Sequence, residues 1–309
     1  MIEQKTISAR AWVSLFALGT IWGLSFVSIR IALDEVGHLT SVAHRTFWAM
    51  LLLWCVVLVM RRPIPQSLSV WGAFFVMGLL NNVIPFSLMA WGQLHIESGL
   101  TSILNAATAI FGVLIAAIAF ADERLTLRKG LGVVIGFLGV ATAIGLENLR
   151  SFDIRSLAQI AVIGGTLSYA LAGTWARKTL SGLSPPVAAA GMLTGSTVIT
   201  LPVALMIEGP ITLDLQPQTV FAIGYYSLVA TAGAYLLYYQ VLAMAGSGNL
   251  MLVTLLVVPI AIVAGAIILG ETLTPNAYVG FAVLAAGLII LNGRAMNFLF
   301  RKRDAASTD

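Results

Sequence analysis

The residues able to do chemistry in this chain are scattered through long apolar runs, and nearly all of them are uncharged. Trp22 and Ser25 stand one helical turn apart and so share a face. Asn81 and Asn82 come just before Pro85, and Trp91 closes the same run. Asn105 and Thr108 again share a face. Further along the chain come Ser168, Tyr169 and Trp175, and then Tyr235, Tyr238 and Tyr239. Amides, hydroxyls and rings do not make a nucleophile with its base, but they can line a cavity. Hydrogen bonds would hold the ammonium and carboxylate of a zwitterion, while ring faces hold its apolar body. The competing reading is interhelical hydrogen-bond glue, which draws on the same residue types.

The missing groups narrow the chemistry. His38, His44 and His95 share no metal-ligand spacing, so no metal site is expected. No phosphate loop, nucleotide motif or catalytic triad is present, and neither a cofactor nor an enzymatic reaction is expected. An intramembrane enzyme would need Asp, Glu, His or Ser clustered at helix depth. Instead Asp34, Glu35, Glu97, Glu208 and Glu271 fall at or outside the ends of apolar runs, so a buried proton-relay carboxylate is not expected. His44 and Arg45 stand a few residues inside the second run, where long side chains snorkel to the interface; a contact with a substrate carboxylate at a cavity mouth is the alternative. Cys55, within LLLWCVVLV, reads as a buried small hydrophobe.

Only a membrane explains the elements that must carry these residues. The chain has 309 residues, 59% hydrophobic and 10% charged, with mean hydropathy +0.96; soluble domains carry roughly 25% charged residues. Seventeen basic residues, scattered singly or in pairs, make no nucleic-acid footprint. Ten apolar runs are long enough to cross, at about 12–31, 40–60, 69–91, 99–120, 130–146, 157–176, 186–207, 219–243, 249–269 and 276–297. Alternating strand polarity is absent, which leaves helices. The first run lacks a small-residue cleavage site and is expected to be retained. Trp12, Trp48, Trp54, Trp71, Tyr225 and Tyr278 read as interfacial belts or lipid-facing rings. With ten spans both termini share one side, and thirteen of the Lys and Arg residues fall there against four opposite (Arg30, Arg45, Arg150 and Arg155). That bias places both termini in the cytoplasm.

The chain also repeats itself. A shift of 148 positions aligns Glu123-Arg124-Leu125-Thr126 with Glu271-Thr272-Leu273-Thr274, Gly132 with Gly280, and Gly139 with Gly287. A shift of 147 aligns Trp22-Gly23 with Tyr169-Ala170. Five spans per copy is odd, so the second copy, residues 148–309, must enter inverted relative to the first, residues 1–147. Matching loops carry opposite charge bias: Arg124, Arg128 and Lys129 follow span four, and no basic residue follows span nine. Gly19-x-x-x-Gly23 and Gly132-x-x-x-Gly136 are expected to pack helices within each half. Pro85 and Pro259 are the candidate hinges, because each costs its helix a backbone hydrogen bond.

Trp22-Gly23-x-Ser25-Phe26, the Glu-x-Leu-Thr turns at Glu123 and Glu271, Pro259 and the glycine-studded fifth and tenth spans together resemble the drug/metabolite transporter superfamily. The resemblance is to its ten-span, EamA-like type, covers nearly the whole chain, and is greatest to YddG-type bacterial amino-acid exporters. It implies an all-α polytopic inner-membrane carrier with two inverted five-helix repeats around a central cavity. Such a carrier would act as a monomer among lipids, exporting amino acids or, as the nearest competitor, drugs and other metabolites. Where such families usually place a first-half proline matching Pro259, this chain has Phe111, so the halves need not bend alike. A channel would show a ring of like residues, and the inverted duplication favours a carrier. Lacking a mid-span carboxylate, the protein is expected to run down its substrate gradient. In proteoliposomes a proton gradient alone should then produce no accumulation, and uphill accumulation under that gradient would sink the expectation.

Overall fold

Every backbone polar group in hydrocarbon must be satisfied within its own segment, and the described residues, 9–121, 125–145, 153–250 and 252–291 of the computed structural model, are accordingly helical with no strand among them. In chain order the helices are α1 (Ala9–Ala32), α2 (His38–Val59), α3 (Leu68–Gly92), α4 (Ser98–Ala119) and α5 (Leu127–Ile144). The second set is α6 (Ile154–Thr179), α7 (Pro185–Ile207), α8, α9 (Leu252–Leu269) and α10 (Pro275–Leu291). Eight of these, α1 to α8, are long and apolar enough to cross a membrane, and α9 and α10 are shorter apolar helices. α8 comprises Pro217–Gly224, a π-helical stretch Tyr225–Gly233, and Ala234–Leu250. Its helical backbone runs through the expected connection near 244–248, where neither proline nor a charge interrupts it.

Local chemistry sets the helix starts. Asp153 accepts from the Ser156 N–H at 2.8 Å, and the Thr126 side chain accepts from the Lys129 N–H. Prolines occupy the first turns of α7 and α8, where the missing N–H costs nothing. Three irregularities interrupt the long helices. α3 contains a π-helical turn at Leu79–Val83, just ahead of Pro85; α8 contains the longer one at Tyr225–Gly233; and α4 breaks at Ala106–Ala107.

The helices pack in a regular pattern. α5 lies on α10 and α2 on α7, while α1 packs on α9 and α6 on the α4 segments; α3 meets α6 and α7, as α8 meets α1 and α2. Gly19, Gly23, Gly132 and Gly139 therefore act between the halves of the chain, while Gly136 meets both Ile110 of its own half and Gly287 of the other. A Cβ at Gly139 would fall 2.8 Å from the Gly280 carbonyl oxygen, and one at Gly132 would fall 2.9 Å from that of Gly287. A Cβ at Gly23 would meet the Val257 carbonyl at 3.0 Å, so both glycine pairs serve cross-half contacts. Cys55 is exposed on α2 and not buried; spacing alone did not say which face of this uniformly apolar helix points outward.

Because α5 and α10 meet backbone to backbone, Gly139→Leu should destabilise the protein by about 1–3 kcal/mol or more. Gly112→Ala, with nothing within 4 Å of the added carbon, should leave stability unchanged or slightly raised. Thermal unfolding of the detergent-solubilised protein measures the difference.

Candidate functional site

The two π-helical stretches face a common centre, and the side chains there complete the hydrogen bonding of the local backbone. A wider turn disturbs the regular α ladder and leaves carbonyls free to accept from elsewhere. Ser168 Oγ of α6 donates to the Leu80 carbonyl in the α3 stretch at 2.7 Å. Trp22 Nε1 of α1 donates to the Ala230 carbonyl in the α8 stretch at 3.1 Å. The Thr231 hydroxyl donates back to the Tyr226 carbonyl at 2.7 Å. A polar knot joins the α3 stretch to α7 and to α8 just past its own stretch: Asn81 Nδ2 donates to Tyr235 OH and to Asn82 Oδ1, Tyr235 OH donates to the same Oδ1, each at 3.1 Å, and Asn82 Nδ2 donates to Ser196 Oγ at 2.8 Å. Asn82 is fully buried; Asn81, Trp22, Tyr169 and Tyr235 keep partial exposure toward the interior.

Arg45 stands at this centre and not at an interface. α2 begins at His38, which puts Arg45 about two turns inside. Its guanidinium carbon lies 3.8 Å from the centroid of the Phe86 ring, and its Nε donates to Thr231 Oγ1 at 2.9 Å. Tyr169, Tyr235 and Tyr226 are its electrostatic neighbours. Snorkelling is overturned here, because α2 turns this face toward α3 and α8. Sequence reasoning also missed Phe86, Tyr226 and Thr231. Phe86 sits directly after Pro85, a signal that could have raised it; Thr231 gains its place only from the π-helical register.

The predicted residues thus divide into a central set and a dispersed one. Trp22, Asn81, Asn82, Ser168, Tyr169 and Tyr235 meet at the centre. Ser25 is buried and bonds only its own helix, at the Trp22 carbonyl. Trp91 packs edge-on against His95, near the end of α3. Trp175 donates to the Ala73 carbonyl at 3.1 Å, and Tyr239 packs edge-on against Tyr238. Asn105 and Thr108 bracket the break in α4, where the Thr108 hydroxyl donates to the Asn105 carbonyl at 2.8 Å. Pro85 lies beside the α3 stretch; Pro259 lines an apolar groove with Leu24, Ile260 and Val263. Of the expected belt residues, Trp12, Trp48 and Tyr278 are exposed, but Tyr225 donates to the Ile21 carbonyl at 3.0 Å and belongs to the α1–α8 contact.

Carboxylates tie the helices together at one end of the bundle. Glu208 accepts from the Leu39 and Thr40 N–H groups at 3.0 and 2.8 Å, so the end of α7 caps the start of α2, with His38 Nδ1 3.1 Å away. Glu271 does the same for α4 through the Ser98 N–H and hydroxyl, both at 2.8 Å, and the Gly99 N–H at 3.2 Å. Arg155 reaches Glu97 at 2.8 Å, and Glu35 accepts from the Gln216 N–H at 3.0 Å. A vestibule of about 360 Å³ lies above, lined by Arg30, Asp34, His95 and Glu97 among others. Among the described residues no group of three His, Cys, Asp or Glu side chains could hold a metal ion.

Stacked apolar helices around a polar, aromatic centre define a multi-pass membrane protein. Residues 10–145 and again 156–293 match the EamA-like transporter family, and the chain belongs to that family. It is 28% identical to a probable terminal-alkyne amino-acid exporter of Streptantibioticus cattleyicolor, covering 97% of this chain and 98% of that protein. It is 26% identical to a probable amino-acid metabolite efflux pump of Salmonella typhimurium, over 87% of this chain and 90% of that one. To the uncharacterized transporter YoaV of Bacillus subtilis it is 19% identical, over 91% and 96% of the two chains. A solved crystal structure superposes with a TM-score of 0.64 at 12% identity, over 94% of this chain and 99% of that one, a likeness of fold. Membership of a transporter family implies a small-molecule substrate.

Tyr235 OH is the one group shared by both asparagines, so Tyr235→Phe should leave Asn81 Nδ2 with one acceptor fewer and weaken substrate binding by about 1 kcal/mol, or fivefold. The substrate dependence of transport in vesicles measures this, and an unchanged KM would show that the knot is only packing.

Proposed function

We propose that the protein exports amino acids, aromatic or otherwise neutral, across the bacterial inner membrane by alternating access. The observation that carries this reading is the convergence of Trp22, Asn81, Tyr169 and Tyr235 on one interior centre, where rings and hydrogen-bonding groups stand together as an amino acid requires. The names of two relatives point to the same class of substrate. In this reading the chain spans ten times with both termini cytoplasmic. Residues 1–147 and 148–309 form inverted halves that rock about the centre, with Pro85 and Pro259 as bending points. The helix pairing supports the inversion, since adding or subtracting five from each helix number converts α1 on α9 into α6 on α4, and α3 on α7 into α8 on α2. The tied end carries the acidic loops and would then be the external gate, closed in this conformation. Each described carboxylate lies outside a helix interior, which supports movement down the substrate gradient without a buried proton relay.

Counterflow decides the substrate class. Proteoliposomes preloaded with unlabelled amino acids should exchange at least one radiolabelled neutral or aromatic amino acid, and no exchange across the whole panel would reject the proposal.

A further inference from the structure

Arg45 holds a charge that the described protein leaves unneutralised. No carboxylate among the described residues comes within ion-pair distance of it, although a cation inside an apolar bundle demands a partner. The protein fixes the guanidinium from two sides without using its terminal fork. Phe86 covers the flat face at 3.8 Å, a contact that leaves the in-plane N–H groups free. Thr231 Oγ1 accepts from Nε at 2.9 Å while its own proton goes to the Tyr226 carbonyl. The two terminal nitrogens bond to no described protein atom, and they are not among the buried unpartnered polar atoms, so they face open space. A rigid fork with both terminal groups free in a partly desolvated site matches the two oxygens of a carboxylate. Tyr169 and Tyr235 stand beside it with rings for an apolar body.

We infer that Arg45 anchors the carboxylate of the transported molecule, so that the site takes carboxylate-bearing zwitterions and monoanions and rejects cations that lack a carboxylate. This rests on the amino-acid reading above and extends it, since the substrate itself supplies the missing counter-charge. It also separates amino-acid export from export of cationic drugs, because a lipophilic cation would meet an uncompensated like charge at the centre.

The test measures binding to the purified full chain in detergent by ligand-induced thermal stabilisation, alongside counterflow. The probes are L-phenylalanine, L-phenylalaninamide, phenethylamine, 3-phenylpropionate and benzyltrimethylammonium. L-Phenylalanine and 3-phenylpropionate should stabilise the wild type, and the amide, the amine and the quaternary cation should not. Arg45→Gln should bind the two acids at least about thirtyfold more weakly. The inference is overturned if the amide or amine binds as well as the acid, if no acid binds, or if R45Q binds the acids within about threefold of wild type. Should R45Q fail to fold, the comparison of acid, amide and amine on the wild type still decides. Arg45-dependent binding of 3-phenylpropionate with no amino-acid counterflow would reject the amino-acid reading and keep this one. Equal exchange of amino acid and amide would do the reverse.

Discussion

A carbonyl released inside hydrocarbon must find a donor, and the centre of this protein is arranged around that requirement. The π-helical stretches of α3 and α8 expose the carbonyls of Leu80, Tyr226 and Ala230, and each is met by a side chain: Ser168, Thr231 and Trp22 in turn. Those same side chains ring the polar centre. Local unwinding and the site are therefore one feature, because a helix wound regularly through Tyr225–Gly233 would leave Thr231 turned away from Arg45 and Trp22 without its acceptor. Leaving any one such group buried and unpaired costs about 1–3 kcal/mol, enough to bias a marginally stable bundle toward closing the turn.

The cation is held through the same chain of contacts. Arg45 rides on α2, whose first turn is capped by Glu208 from the end of α7, with the Leu39 and Thr40 N–H groups as donors. Thr40 and Arg45 lie five residues apart, so fixing the start of the helix also fixes the depth of the guanidinium. At the other contact Thr231 ties the guanidinium to the α8 stretch. A carboxylate at the end of the bundle and an arginine at its centre are thus linked by less than two turns of helix. Loss of the cap would free the start of α2 and shift the charge relative to Phe86 and Thr231.

Much of this was legible in the sequence, for reasons that also mark where legibility stops. The apolar runs follow from composition and period, the interior asparagines and aromatics from residue type, and the family resemblance from motifs such as Trp22-Gly23-x-Ser25-Phe26 and Glu271-x-Leu-Thr; the glycines were legible as packing points, but not which helices they join. Residue type singled out Asn81, Asn82, Tyr169 and Tyr235, and the fold brings these four together. Depth and partner choice are not encoded in residue type. Trp91 and Trp175 have the right chemistry and face but pack toward helix ends. Arg45 stands so near the start of its run that snorkelling looked sufficient, and only the packing of α2 against α3 and α8 shows its face to be internal. The π-helical stretches left no local mark in α8, because Tyr225–Gly233 contains no proline and its widened register survives only where Trp22 and Thr231 satisfy it.

The pairing of helices is nearly symmetric between the two halves, yet the chemistry is not. At the repeat spacing of 147, Arg45 corresponds to Met192, and at 148 to Leu193, so one half alone supplies the cation. Glu271 has an acidic counterpart in Glu123, but Glu208 corresponds to Met60 or Arg61, neither of which carries a carboxylate to cap a helix N-terminus. A scaffold with matched contacts offers two similar arrangements of comparable stability. In the proposed alternating access, the Glu208 cap is an unmatched contact that favours the arrangement seen here. On that proposal, release of this cap is the step that must be compensated when the tied end opens. The inferred carboxylate at the Arg45 fork would be the change nearest at hand to do it, since it would neutralise the charge that the same helix carries.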